Sequence, residues 1–278
     1  MLIPISIMLS AQMGAGWCGW RLGSRLSDRL RAWFMLGAVV VLITALAARD
    51  AWWPLFLFPV TELIFLGDWS APCAALLAGL TLTAPHPTWW RRTVIAASLM
   101  LVVNIVTWSP LWRSLPPMSD TWEGVCCLQS TDSTCAPAAA ATLLHLYGIT
   151  SREDTLARDC LTTDHGTSRW GLWRGLRLAT ADSVYRVRAS DGDLEMVMAH
   201  LPAIISVVLT KKQNEFDPRY AREWGWVIGQ PHAVVLLGRG DRADTIRIAD
   251  PKMGVEAWDE SGVRALWNRQ IFWLEKNQ

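Results

Sequence analysis

Two segments of the chain are long, apolar and free of charged side chains. Residues 32–48 read AWFMLGAVVVLITALAA, and residues 93–108 read TVIAASLMLVVNIVTW. The hydrocarbon core of a bilayer is about 30 Å thick and requires about 20 apolar residues of helix, so each segment can cross it with a few flanking residues. The candidate spans are roughly 2–20, 32–48, 70–90 and 93–110, with a fifth at 51–67. We therefore predict an all-α transmembrane region of four or five helices and expect an integral membrane protein that contacts the lipid bilayer.

Charge changes abruptly along the chain. Residues 1–112 contain no lysine and four acidic residues, whereas both signs of charge are common after residue 119. Three prolines lie in SPLWRSLPPMSD, residues 109–120, a composition typical of a linker. We predict a transmembrane helical region over 1–112, a linker over 113–123 and a soluble domain over 124–278.

The composition agrees with a membrane protein. Hydrophobic residues make up 51% of the chain, charged residues 18%, and there are 18 tryptophans. That balance is too apolar for an ordinary soluble enzyme and is typical of membrane helices with tryptophan at the interfaces. The net charge of +1 gives no reason to expect a nucleic-acid partner. Six cysteines are too few to indicate a disulfide scaffold.

The side of the membrane that holds the soluble domain depends on the number of crossings. The loop at 21–31 carries four arginines and is expected in the cytoplasm. Two crossings between 51 and 84 would place the soluble domain inside, whereas one crossing with a re-entrant piece would place it outside. Hydropathy favours the first arrangement and the arginine count favours the second, so both remain open.

The first apolar stretch is expected to be retained and to pack closely on another helix. It lacks the basic start and the small-residue cleavage site of a signal peptide. Gly14, Gly16 and Gly19 suit a close approach between two helices.

The soluble half changes its periodicity midway. Residues 135–148, 151–161, 167–180 and 193–201 are predicted to be helical, the first of them buried because it is apolar on almost every side. β-Branched runs at 203–209, 232–238 and 244–250 then predict strands, followed by a helix at 260–269 and a strand at 271–274. Helices followed by a hairpin-built sheet indicate an α+β domain.

Cys135 lies at the start of the predicted buried helix. The free backbone N–H groups and the dipole of a helix N-terminus stabilise a thiolate, which a nucleophilic cysteine requires together with a base. The alternative is a small apolar residue that happens to begin a helix.

His232 and Asp250 flank a predicted hairpin with its turn near residue 241. Their numbers sum to twice 241, so we expect them opposite each other within one residue, about 5 Å apart at Cβ. A carboxylate can then orient the imidazole, and a cysteine, a histidine and an acid are the parts of a thiol protease site. The alternative is that His232 begins one strand and Asp250 ends the other only by chance, as a consequence of the turn. Gln129 supplies an N–H donor on the loop before Cys135 and, with the Cys135 backbone N–H, can form an oxyanion hole.

These residues together resemble a known family. Gln129, Cys135 at a helix start, His232 and the pair Asp250-Pro251 occur in the order of the bacteriocin-processing peptidases, which are papain-like cysteine peptidases that remove double-glycine leader peptides. The resemblance extends over about residues 124–275. It includes GTSRWGLWRGLRLA, PHAVVLLG, IADPKMG and a closing W…FWL.

The resemblance implies a role for each site residue. Cys135 would be the nucleophile, His232 its base, Asp250 the group that orients His232, and Gln129 the oxyanion donor. A peptide or protein is the implied substrate, the bacterial cell membrane the implied location, and no cofactor or metal is expected. Thr134 and Ala136 replace the aspartate and glycine that usually flank the family's cysteine, which puts the shape of the substrate cleft in doubt.

Other readings of the same residues remain open. No G-x-x-x-x-G-K-[ST] motif occurs, so a role in export would need a separate transporter. The domain could instead bind leader peptides without catalysis, or transfer an acyl group on a non-peptide substrate. Cys126 or Cys127 could pair with Cys160, whereas a zinc site is disfavoured by the cysteine spacing. The insertion at 210–230, with Trp224 and Trp226, is either a solvated loop or a loop over the cleft.

Overall fold

The computed structural model describes residues 2–47, 61–86, 88–112, 115 and 118–277. The chain forms two compact units, Met1–Arg113 and Ser114–Gln278. Each unit is described by itself below, and the limits predicted for the linker stay a prediction.

The N-terminal unit is helical, as predicted. Its described helices are α1 (Leu2–Gly23), α2 (Asp28–Ala47), α3 (Leu63–Leu66), α4 (Ser70–Leu82) and α5 (Trp89–Trp112). Three segments are long and apolar enough to cross a membrane, namely Asp28–Ala47, Ile64–Leu82 and Trp89–Ser109. Most of the fifth predicted stretch, 51–67, lies outside the described residues.

Helix α4 is the centre of this unit and contacts α1, α2 and α5. A Cβ atom on Gly79 of α4 would lie 2.2 Å from the backbone oxygen of Gly16, and one on Gly19 would lie 2.3 Å from the backbone oxygen of Leu76. Only hydrogen side chains permit two helix backbones to approach this closely. The predicted close packing is thus present at Gly16 and Gly19, whereas a Cβ atom on Gly14 would meet nothing within 4 Å.

The C-terminal unit is built on a six-stranded antiparallel sheet. Its strand order is β3-β8-β4-β5-β6-β7, and a separate two-stranded ribbon pairs β1 with β2. The strands are β1 (Thr121–Glu123), β2 (Cys126–Leu128), β3 (Tyr185–Asp191), β4 (Ala203–Val208), β5 (Pro231–Arg239), β6 (Thr245–Asp250), β7 (Gly254–Asp259) and β8 (Trp267–Lys276). The helices are α6 (Cys135–Leu146), α7 (Glu153–Asp159), α8 (Arg169–Ala179), α9 (Leu194–Ala199), α10 (Lys211–Phe216), α11 (Arg219–Arg222) and α12 (Glu260–Leu266). The predicted α+β organisation, helices first and hairpins after, is confirmed.

Helix α6 is buried along nearly its whole length. Alanines 138–141 have no exposed surface, so the helix can lie directly against its neighbours, which include β5. Pro137 is tolerated because it falls in the first turn, where its missing N–H has no partner to lose. Just past the C-terminal end, Gly148 takes a positive φ of 73°, the conformation for which glycine is favoured. The helix therefore begins at the predicted residue and ends at Leu146, two residues before the predicted end.

A second core cluster includes residues of β4, β5, β6 and β8. Ile205, Val234 and Ile248 have no exposed surface, and side chains of α9 and α12 pack with them. Burying one such side chain contributes about 1.5–3 kcal/mol. The central strands are therefore tightly packed, and the residues at the ends of these strands are held in fixed positions.

Several features of this unit differ from the predictions. The last helix ends at Leu266, and residues 267–269, expected to continue it, begin β8. The insertion at 210–230 contains the short helices α10 and α11. Strands β1, β2, β3 and β7 were not predicted, although β3 and β7 alternate between buried and exposed residues over part of their length.

Candidate active site

Cys135 is the first residue of α6 and is almost completely buried, with 9% of its surface exposed. Burial favours the neutral thiol. This is outweighed by a hydrogen bond with His232 and by the backbone N–H groups of Ala233 and Ala136, so the pKa of Cys135 is lowered from its ordinary value. A lowered pKa is the property expected of a nucleophilic thiol.

His232 lies between the thiol and a carboxylate. Its Nε2 atom is 2.7 Å from Oδ1 of Asp250, which leaves Nδ1 as the ring nitrogen available to Cys135. Burial of the imidazole opposes its charged form, but the hydrogen bonds with Asp250 and Cys135 raise the pKa of His232 to about 10. The arrangement therefore favours an imidazolium beside a thiolate.

The pairing of His232 with Asp250 does not use the predicted register. Strands β5 and β6 pair Val235 with Ala249 and Leu236 with Ile248, so Asp250 comes level with residue 234 and not with residue 232. The expected direct opposition was wrong by two positions, because the hairpin turn is centred between residues 242 and 243 and not at residue 241. The register shift between Leu236 and Gly238 brings Asp250 one position closer to His232 than the turn alone would place it. Side chains two positions apart still share one face of a sheet, and a diagonal pair stays within reach of long side chains.

Asp250 is fully buried at the end of β6, and its Oδ1 atom serves two donors. The second donor is the backbone N–H of Lys252, at 2.8 Å. The backbone oxygen of Asp250 accepts a hydrogen bond from Cys126 Sγ at 3.4 Å. These contacts hold Asp250 in place, so its carboxylate can orient the imidazole of His232 without moving.

Gln129 follows β2 on the loop that leads to Cys135. Its backbone N–H donates to the backbone oxygen of Pro251 at 2.7 Å, which ties this loop to the turn after Asp250. Its Nε2 atom donates one hydrogen to the backbone oxygen of Thr131 at 3.0 Å, and the second hydrogen of that amide is left for another acceptor. The Oε1 atom is buried without a hydrogen-bond partner among the described residues.

Glu153 is a positioning residue that the sequence analysis missed. It is completely buried at the start of α7, and its carboxylate accepts hydrogen bonds from the backbone N–H and the hydroxyl of Ser130. Because Ser130 directly follows Gln129, these hydrogen bonds anchor the loop that carries Gln129. An acidic residue at a helix start is common, and nothing in the local sequence distinguishes this one.

Trp226 and Lys252 also belong to the site. The ring centroid of Trp226 lies 4.8 Å from that of His232. Lys252 Nζ donates to Oδ1 of Asp132 at 3.0 Å and to the backbone oxygen of Gly225 at 2.9 Å. Of the two readings of the insertion, the loop over the cleft is the one that this geometry favours for Trp226. Lys252 was missed, and its place directly after Asp250-Pro251 was the available clue.

A small cleft opens beside the imidazole. Its lining residues come from the nucleophile loop, the 210–230 insertion, the start of β5 and the turn after β6. They are Gln129, Asp132, Gly225, Trp226, Val227, Gln230, Pro231, His232 and Lys252. The cleft combines an apolar wall with several polar groups, which is the usual character of a site that binds an organic ligand.

The remaining cysteines are free thiols, and Cys126, Cys127 and Cys160 are all buried. Burial raises the pKa of all three, that of Cys126 to about 12. The disulfide to Cys160, left open from the sequence, is not formed. Within the described part of the chain, no three His, Cys, Asp or Glu side chains come together as a metal site.

Several solved peptidase domains are similar to this chain. The peptidase domain of Streptococcus ComA, a bi-functional ABC transporter involved in a quorum-sensing pathway, is 18% identical, with coverage of 54% of this chain and 96% of that domain and a TM-score of 0.41. A double glycine motif protease from an AMS/PCAT transporter, solved with its leader peptide, is 16% identical, with coverages of 59% and 94% and a TM-score of 0.39. The peptidase C39 like domain of a toxin secretion ATP-binding protein from Vibrio parahaemolyticus is 13% identical, with coverages of 53% and 99% and a TM-score of 0.36.

No curated protein matches the chain. The model of the Peptidase_C39 like family matches residues 123–271, which is more than half of the chain and nearly the whole C-terminal unit. The papain-like fold and the resemblance predicted from the residues are confirmed, and the chain belongs to the Peptidase_C39 like family.

Proposed function

We propose that this protein is a membrane-anchored cysteine peptidase that cleaves a peptide or protein through Cys135, His232 and Asp250, with Gln129 in the oxyanion hole. The observation that carries the proposal is the position of His232, whose Nε2 atom lies 2.7 Å from Oδ1 of the buried Asp250 and whose imidazole lowers the pKa of Cys135. A domain that only binds peptides has no need of a buried carboxylate aligned behind an imidazole and a thiol.

The chemistry follows from the two shifted pKa values. The thiolate of Cys135 attacks the scissile carbonyl carbon, and the carbonyl oxygen becomes an anion. The Nε2–H of Gln129 and the backbone N–H of Cys135 would stabilise that anion. The imidazolium of His232 then donates its proton to the leaving amine, the C–N bond breaks, and a thioester remains on Cys135. Water then attacks the thioester while the now neutral His232 takes its proton. The acyl group leaves as an acid, and the thiolate of Cys135 and the imidazolium of His232 are restored.

The proposed substrate is a peptide with a leader that ends in two glycines. This rests on family membership and on the resemblance to the bacteriocin-processing peptidases, which is carried by Gln129, Cys135, His232 and Asp250 and by the four segments quoted with them. A separate transporter would then be the partner that exports the product. The replacements Thr134 and Ala136 make the double-glycine preference the part of the proposal that most needs testing.

Membrane anchoring is the second part of the proposal. It rests on three helices with the length and apolarity needed to cross a bilayer. A reporter fused after residue 278 tests the side of the membrane, because an enzyme active only in the cytoplasm and one active only outside give opposite results. A chain recovered in the soluble fraction without detergent would contradict the anchoring.

An iodoacetamide-type probe tests the catalytic part. Labelling of Cys135 that is fast at neutral pH and slow in His232→Ala supports catalysis. Labelling of Cys135 no faster than that of a free thiol would instead favour a non-catalytic binding domain. A peptide library read by mass spectrometry then separates proteolysis from acyl transfer on a non-peptide substrate.

A further inference from the structure

Two of the residues that line the cleft beside His232 each carry a buried polar atom that has no hydrogen-bond partner among the described residues. One is a donor, Nε1 of Trp226, and the other is an acceptor, Oε1 of Gln129. A buried polar group without a partner is unfavourable and is rare in folded proteins. One ligand able to serve both atoms would need a carbonyl and an N–H close together, which is what a peptide main chain offers.

The side of the scissile bond that meets this cleft follows from the proposed chemistry. Cys135 bonds to the acyl side of the substrate, and His232 protonates the nitrogen of the leaving side. The leaving segment therefore lies on the imidazole side of the nucleophile, and His232 is itself one of the residues that line the cleft.

Trp226 is held rigidly by its neighbours. It is 94% buried, since only 6% of its surface is exposed. Its backbone N–H donates to the backbone oxygen of Tyr220 at 2.9 Å, and its ring contacts the rings of Tyr220 and Trp258. The preceding residue, Gly225, has a φ of +65°, in the left-handed region that favours glycine. An indole fixed on several sides can present its N–H without loss of conformational freedom.

The support of Trp226 is connected to the triad. The backbone oxygen of Gly225 accepts from Nζ of Lys252 at 2.9 Å, and the backbone N–H of Lys252 donates to the carboxylate of Asp250 at 2.8 Å. One residue thus links the loop that carries the indole to the acid that orients His232. The indole and the imidazole keep a fixed relation, as a substrate that contacts both would need.

We propose that this cleft is the subsite for the first residue after the scissile bond, where the Nε1–H of Trp226 donates to the carbonyl of that residue and Oε1 of Gln129 accepts an N–H from the leaving main chain. The assignment rests on the proposed function and deepens it. Recognition on this side is then directed to the peptide backbone, so the sequence of the leaving segment matters less than its being a peptide.

Partitioning of the acyl-enzyme between water and an added amine tests the assignment. The 278-residue chain, purified in detergent, is acylated on Cys135 with an activated ester of N-acetylglycylglycine. An added amine attacks the thioester carbonyl: the C–S bond breaks, a C–N bond forms, and His232 takes the proton that the amine loses, which leaves a thiolate beside an imidazolium. Glycinamide carries the carbonyl that Trp226 would contact, whereas ethylamine lacks it. The ratio of amide to acid product is measured for both amines.

Trp226→Phe keeps an aromatic ring beside His232 and removes the N–H. We expect it to lower the preference for glycinamide over ethylamine by about 3- to 10-fold, the effect of one neutral hydrogen bond. Trp258→Phe is the matched control, because the indole N–H of Trp258 already donates to Glu256 at 2.9 Å and Trp258 does not line the cleft. Its preference should stay within about twofold of the original.

Two results would overturn the assignment. An unchanged preference in Trp226→Phe would show that the N–H makes no contact with the leaving residue. An equal fall with both amines, in a variant whose thermal unfolding midpoint is unaltered, would show that the indole acts through its shape. Failure of the unsubstituted protein to form any acyl-enzyme is a different outcome, since it removes the proposed function and the assignment with it.

Discussion

His232 and Asp250 meet at 2.7 Å although they are two positions out of direct register across the β5–β6 hairpin. Asp250 reaches the imidazole diagonally and is held there by the backbone N–H of Lys252 at 2.8 Å. The contact between His232 and Asp250 therefore depends on the register shift near Gly238 and on the turn after β6 as well as on the two residues themselves.

Asp250→Asn should remove most of the activity and leave the fold in place. An amide cannot stabilise an imidazolium, so the pKa of His232 falls and the ring loses its fixed orientation. We expect kcat/KM to fall by about 10²- to 10⁴-fold. Steady-state kinetics measures the change, and Asp241→Asn in the exposed hairpin turn is the control for the same substitution. Equal activity in the two variants would contradict an orienting role for Asp250.

The alkylation rate of Cys135 should depend on pH with a lower midpoint than that of an ordinary thiol. The pKa of Cys135 is lowered, so its thiolate persists below the ordinary thiol value of 9.0 and is lost only as the pH falls through the lowered value. The rate of alkylation should therefore rise with a midpoint below pH 9. Peptide cleavage, which also needs the imidazolium as an acid, should decline as the pH rises through about 10, the raised pKa of His232.

His232→Ala tests whether His232 lowers the pKa of Cys135. Without the imidazole, burial of the thiol is no longer outweighed by its largest opposing contact, so the midpoint of alkylation should move upward. The buried thiols Cys126, Cys127 and Cys160 should stay unlabelled in both proteins, since burial raises the pKa of each. The same midpoint with and without His232 would contradict the thiolate–imidazolium pair.

Lys252→Met should loosen the insertion over the cleft. The substitution removes two hydrogen bonds, to Asp132 and to the backbone oxygen of Gly225. We expect the free energy of unfolding to fall by about 1 kcal/mol, because one partner carboxylate is largely exposed. Hydrogen exchange over residues 219–230 should quicken and KM should rise more than kcat falls. Lys211→Met, on the exposed start of α10, is the control, and equal exchange in the two variants would argue against this contact as an anchor.

Gly79→Ala should destabilise the helical unit. Its Cβ would lie 2.2 Å from the backbone oxygen of Gly16, so α1 and α4 must separate. We expect a loss of about 1–3 kcal/mol, measured by unfolding in mixed detergent micelles. Gly37→Ala is the matched control, because a Cβ there meets nothing within 4 Å. Equal stability of the two variants would show that the close approach of α1 and α4 contributes little.

The parts of the fold that the sequence predicts are those with a strong local pattern. Helix α6 is apolar on almost every side and is followed by Gly148, and β4, β5 and β6 are rich in β-branched residues. Strand β8 shows the limit. Its first residues, Trp267 to Arg269, continue a helical pattern, but they form a strand that begins beside β4, with Val207 level with Trp267. Long-range pairing of this kind has no local signature.

The candidate site divides in the same way. Cys135, His232, Asp250 and Gln129 could be proposed from the sequence because each residue type has a chemical role and their spacing suggests a common site. Glu153 and Lys252 were not found, since their roles come from contacts with Ser130 and Gly225, 23 and 27 residues away in sequence. The register error at Asp250 has another origin, because the sequence indicated a turn near residue 241 whereas the hairpin turn is centred between residues 242 and 243.

Cleavage-site profiling of the purified chain beside its Cys135→Ala variant tests the central claim most directly. A peptide library that includes double-glycine sequences is incubated with each protein, and the products are identified by mass spectrometry. The account predicts defined cleavage sites with the unsubstituted protein and none with Cys135→Ala, because the variant lacks the attacking sulfur. The same cleavage with both proteins, or none with either, would contradict a cysteine peptidase centred on Cys135.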